Sequence, residues 1–78
     1  MSLNIKQTLQ KGVTAHKAGK FQEAEHLYRA ILAEQPSHPD ANYNLGSLIV
    51  SFGMLEKSLP FFKKALESNP KNGQFWLS

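Results

Sequence analysis

The chain has 78 residues, nine Lys and Arg against six Asp and Glu, a net charge of +3 and no Cys. That size suits one small domain spanning 1–78, and the lack of Cys excludes disulfides, a thiolate nucleophile and Cys-ligated zinc. Apolar runs such as Leu48-Ile49-Val50 are far too short to span a bilayer, and the N-terminus lacks a signal peptide's apolar stretch, so a cytoplasmic protein without a membrane partner is expected.

The spacing predicts a first helix over 3–18, where Ile5, Leu9, Gly12, Val13 and His16 recur at helical intervals. Gly19 stops it, and Lys17 and Lys20 suit its C-terminal end. A second helix over 21–34 carries Ala24, Leu27, Tyr28, Ile31 and Leu32 and ends before Gln35-Pro36. Ser37-His38-Pro39-Asp40 reads as a turn, with Pro39 at a first helical position behind a polar residue and Asp40 at the positive end. Leu45, Leu48, Ile49 and Phe52 mark a third helix ending at Gly53. Leu55, Leu59, Phe62, Ala65 and Leu66 mark a fourth, ending near Asn69-Pro70. Pro60 falls inside that last segment, where it removes a backbone donor and crowds the preceding turn. Two outcomes stay open: Ser58 caps a helix that starts late, or the helix is kinked. No run alternates with period two, so no strand is expected.

These segments repeat. Pro36 recurs as Pro70, Gly12 as Gly46, Gly19 as Gly53 and Leu32 as Leu66, all 34 residues apart. Ala24 answers to Ser58, Tyr28 to Phe62, Phe21 to Leu55, and Asn42 to Trp76 at the same offset. The order Leu45-Gly46, Ile49, Ser58, Phe62, Ala65, Pro70 resembles the tetratricopeptide repeat (TPR) family. That resemblance implies an all-α fold of two antiparallel helix-turn-helix hairpins, stacked as a short right-handed solenoid. Repeat one runs over about 5–38 and repeat two over about 39–72. The start of a third, over 73–78, makes a short C-terminal helical stub. Ala24 and Gly46 are expected at close helix contacts. Lys11 fills the slot that Leu45 takes later, as suits a terminal repeat with one face in water.

Chemical sites are nearly absent. His16, His26 and His38 belong to three different segments. Glu23-Ala24-Glu25-His26 has the Glu-x-x-His spacing of di-iron bundles but no second copy and no further inward carboxylates. No Gly-rich phosphate loop occurs. The basic N-terminal segment lacks the dense charge stripe and stacking aromatics that nucleic acid requires. No enzyme activity, catalytic residue, metal or other cofactor is expected, and no nucleic-acid partner.

What remains is surface. In stacked hairpins the first helices line a concave groove. The groove residues are then Lys6, Leu9, Gln10, Val13, His16 and Lys17 from one helix. The next contributes Asp40, Tyr43, Asn44, Ser47, Val50 and Ser51. Apolar centres among hydrogen-bonding neighbours suit an extended peptide or a helix of a protein partner. The carboxylate clamp of chaperone-binding TPR domains is not matched: Leu9, Val13, Asn44, Gln74 and Ser78 stand at its places, and only Asn44 fits. Asn44 instead resembles the groove asparagine in the repeat arm of O-linked sugar transferases. The alternative function is therefore an N-terminal substrate-docking arm of a larger glycosyl- or sulfotransferase-like enzyme, its catalytic domain lying outside this chain. Breaking off within a third repeat fits such a fragment. The apolar Phe75-Trp76-Leu77, with an open face assigned to Leu48, Phe52 and Phe61, leads to an expectation of self-association through the C-terminal end.

Overall fold

Four helices account for most of residues 3–68, the part of the chain that this computed structural model describes. They are α1 (Ile5–Lys17), α2 (Phe21–Glu34), α3 (Pro39–Ser51) and α4 (Leu55–Ser68), with no strand among the described residues. The α1–α2 and α3–α4 pairs form two hairpins, and α3 packs back on α2. The C-terminal stub and the self-association residues Phe75, Trp76 and Leu77 lie outside the described residues.

Local chemistry sets the helix ends. The Asn4 side-chain oxygen accepts the Gln7 N–H at 3.0 Å and so caps α1. At its other end Gly19 takes φ 80°, donating to His16 O at 3.1 Å while Lys20 N–H reaches Ala15 O at 2.8 Å. These two bonds close a Schellman turn, which requires the left-handed conformation that glycine adopts without penalty. Gly53 repeats it at φ 77°, its N–H on Val50 O and the Met54 N–H on Ile49 O. Pro39 opens α3, and His38 caps it: the imidazole Nδ1 accepts the Ala41 N–H at 3.1 Å. Neither Asn4 nor His38 was legible as a cap from spacing alone.

Thr8 and Asn42 occupy the place in repeats one and two that Trp76 holds in the third, and both are buried. Each is satisfied through the backbone at the start of its own helix. Thr8 Oγ1 donates to Asn4 O at 2.8 Å, and Asn42 Nδ2 donates to His38 O at 2.9 Å and Pro36 O at 3.1 Å. Burying these groups therefore leaves no unpaired donor behind.

Within each hairpin, an aromatic ring of the second helix lies on a glycine of the first. A Cβ on Gly12 would stand 2.6 Å from the Tyr28 ring, and one on Gly46 would stand 3.0 Å from the Phe62 ring. Ala24 and Gly46 are buried, as expected at the close helix contacts, and Ser58, the counterpart of Ala24, is fully buried too. Between the hairpins, Leu45, Leu48 and Ile49 of α3 join Ala15, Ala24 and Tyr28 in one core cluster, with Leu9, Val13, Leu32 and Phe61 packed against it.

Two expectations are corrected. Leu48 does not belong to an open face: it is fully buried in the seam between hairpins. Phe61 is half-buried there, with the Arg29 guanidinium 5.9 Å from its ring, and Phe52 is partly covered by the edge of Phe21. Phe52 nevertheless stays exposed, as do Val50 and Met54, and the most exposed large apolar residues are Leu55 and Leu59. Nor does Ser58 cap a late helix, because α4 starts at Leu55 with Pro60 inside it. Met54 O accepts from both Lys57 and Ser58 N–H, fixing the first turn ahead of the proline. The carbonyl that Pro60 leaves without its helical donor belongs to Glu56, an exposed residue.

Adding a methyl at Gly12 forces the buried Tyr28 ring to move, so Gly12→Ala is expected to cost about 1–3 kcal/mol despite the higher helix propensity of Ala. Thermal melts should rank it as more damaging than Gly46→Ala, and equal melting of the two would contradict the close Tyr28 contact. For the cap, His38→Ala should cost about 1 kcal/mol, whereas His38→Asp, which restores an acceptor, should melt close to the parent.

Candidate functional site

The groove expected on the first helices is built from the flank of α1 and α3 that points away from the buried strip. In α1 that strip is Thr8, Gly12 and Ala15; in α3 it is Ala41, Asn42, Leu45, Gly46, Leu48 and Ile49. The two helices touch each other directly.

The thirty-four-residue step pairs the positions. Lys6 answers to Asp40, Gln10 to Asn44, Val13 to Ser47 and Lys17 to Ser51. Lys6, Gln10, Lys17, Asp40 and Ser51 are exposed, and Asn44 and Ser47 are half-buried. Ser51 donates its hydroxyl proton to Ser47 O, one turn back, at 3.2 Å. Leu9 and Val13 are drawn further in than spacing implied, since both pack against the core cluster. Tyr43 is also half-buried, its ring tilted against Phe62 at 5.6 Å between centroids. Val50 is exposed. The flank thus combines the half-buried Val13 and Tyr43 with hydrogen-bonding groups, two lysines on α1 and one carboxylate at the start of α3.

His16 lies at the inner edge of this flank. Its ring meets Phe21 edge-on at 5.9 Å, and its Nδ1 stands 3.5 Å from the Tyr28 hydroxyl. Burial pushes the Tyr28 phenol up to about 12, because the phenolate would lose its hydration in the core.

Other surfaces hold no reactive constellation. Glu23 and His26 are exposed, and Glu25 pairs with Arg29 at 2.9 Å. Among the described residues no group of three His, Cys, Asp or Glu comes together to hold a metal, and no helix is long and apolar enough to cross a membrane. Two open clefts flank the groove helices without using its residues as a set. One, of about 610 Å³, lies between α2 and α4 and includes Arg29, Phe61, Lys63 and Lys64. The other, of about 660 Å³, lies between α1 and α2 and includes Gln7, Gln10, Lys11, Glu23 and His26. The Arg29–Phe61 contact was not foreseen. It joins residues 32 apart on two hairpins, and only the stacked structure brings them together.

A family model described as tetratricopeptide repeat matches residues 9–73, which takes in all of α2, α3 and α4 and most of α1.

The Tyr28 phenol gives a pH dependence with a defined sign. Its folded value lies above its ordinary 10.0, so the unfolded chain releases the proton first. The stabilisation is complete below pH 10 and is lost as pH rises from there to about 12, at about 1.4 kcal/mol per pH unit. Melting temperatures should fall across that window, and Tyr28→Phe should flatten the fall; an identical decline in the variant would remove Tyr28 as its cause.

Proposed function

The chain belongs to the tetratricopeptide repeat family, whose repeats are generally protein–protein interaction modules, and on that premise we propose that the flank of α1 and α3 binds an extended peptide or a helix of a partner protein. One observation carries this reading. Two adjacent helices present matching polar positions, Lys6 with Asp40, Gln10 with Asn44, and Lys17 with Ser51, none of which is taken up by the core. Packing therefore explains the opposite flank of each helix and leaves this one to a ligand.

Each group has a role in that reading. Gln10 and Asn44 carry amides, which offer both donors and an acceptor and so suit a peptide backbone. Val13 and Tyr43 supply apolar contact between them. Lys6 and Lys17 favour acidic residues flanking the bound segment, and Asp40 disfavours them at the start of α3. The chain acts here as a binding module without catalytic residues of its own.

Peptides selected from a displayed random library against the whole chain provide the test. Gln10→Ala with Asn44→Ala should weaken them by roughly tenfold, in line with two net hydrogen bonds, while melting is unchanged. Lys6→Glu with Lys17→Glu should reverse the preference for acidic flanks. Tyr43→Ala is a poorer probe, because it also removes packing on Phe62. Selected peptides that ignore these changes and are lost on Lys64→Glu would place binding in the α2–α4 cleft and end the groove proposal.

A further inference from the structure

Leu55, Leu59, Phe62 and Leu66 form an apolar stripe along the 14 residues of α4, stepping by four, three and four. Leu55 is 61% and Leu59 55% exposed, the two most exposed large apolar side chains of the described residues. Their counterparts in repeat one are Phe21, Glu25, Tyr28 and Leu32. On that face of α2 Tyr28 is fully buried and Leu32 packs on the core cluster shared with α3, while Phe21, 36% exposed, meets the edge of Phe52. Glu25 is charged and paired to Arg29, so the repeat fold does not itself require leucine at position 59.

We propose that α4 pairs antiparallel with α4 of a second copy of this chain, the partner taking on α4 the place that α3 takes on α2. Spacings of four and three are those of a helix–helix seam. With a two-fold axis between Leu59 and Phe62, Leu55 faces Leu66 of the second copy and Leu59 faces its Phe62. The same register sets Glu56 beside Lys63 of the second copy, and the symmetry makes this ion pair twice. In a parallel arrangement Glu56 and Lys63 would instead each stand level with its own counterpart, and Lys57 and Lys64, half a turn round α4 from the stripe, stay clear of the seam in either direction. The charges flanking the stripe thus select both a second copy as occupant and its direction. A single helix pair of about 21 Å buries less than the ~800 Å² per partner of a standard interface, so the dimer is weak and concentration-dependent.

Sedimentation of the whole chain from on the order of 10 µM to 1 mM, the range that so small an interface demands, reads this out. The average mass should rise toward that of a dimer. Leu59→Glu, which installs the residue repeat one carries at this place, should raise the dissociation constant by tens of fold, two half-exposed leucines being lost per dimer, with unchanged melting. Lys63→Glu should weaken pairing several-fold, and adding Glu56→Lys should restore it. Three results would overturn the proposal. One is a monomer at every concentration, meaning the stripe is covered within the chain or kept for another protein. A second is a dimer indifferent to Leu59→Glu but lost on changing Phe75, Trp76 and Leu77. The third is failure of the double charge reversal to restore pairing.

Discussion

Everything in this molecule hangs on two aromatic rings seated where a side chain of the neighbouring helix should be. The Tyr28 ring fills the volume that a Cβ on Gly12 would occupy, and Phe62 presses less closely on the same place at Gly46. This lets the two helices of a hairpin approach closely, with the small, fully buried Ala24 and Ser58 on the second helix. Because Tyr28 lies so deep, it also forms part of the floor on which the second hairpin lands, next to Leu45 and Leu48. Each fully buried leucine contributes about 1.5–3 kcal/mol, but only if the hairpin beneath holds its shape. Intra-hairpin contact therefore comes first in the hierarchy, and stacking builds on it.

Most of this was readable in the residues because the chain states it twice. A glycine that recurs at a fixed offset, with an aromatic recurring at its own, distinguishes a contact from coincidence. The helix stops at Gly19 and Gly53 were equally plain, since a backbone requirement shows in one residue type. The burial of Leu48 was not readable. Helical periodicity defines an apolar face, yet α3 is apolar on two flanks, and only the position of α2 decides which one meets a neighbour. For the same reason the exposure of Lys6, Gln10 and Lys17 was legible from polarity, whereas Val13 and Tyr43 were drawn into the packing. His38 escaped notice as a cap because its role depends on which ring nitrogen faces the helix.

The two ends of the stack differ in kind. Gln7, Lys11 and Thr14 on α1 and Ala18 at its C-terminal cap are the repeat counterparts of Ala41, Leu45 and Leu48 on α3 and Phe52 at its cap. In α3 the first three are buried against repeat one, while all four of repeat one are exposed. The same backbone surface is thus written once for contact and once for water. An array made of such units stacks in one direction only, because a lysine at the Leu45 place disfavours a hairpin docking there.

The hairpin turns carry a consequence of a stereochemical sort. Gly19 and Gly53 hold positive φ, yet a Cβ placed on either would meet nothing within 4 Å. The space is empty, and it is only the handedness of natural amino acids that bars a larger residue. A D-alanine introduced at either turn by chemical synthesis has the φ preference that the turn uses. It would narrow the conformations open to the unfolded chain by about as much as a well-placed Gly→Ala change does, some 0.4–1 kcal/mol. At these two points the chain uses glycine as the nearest thing that ribosomal synthesis offers to a mirror-image residue.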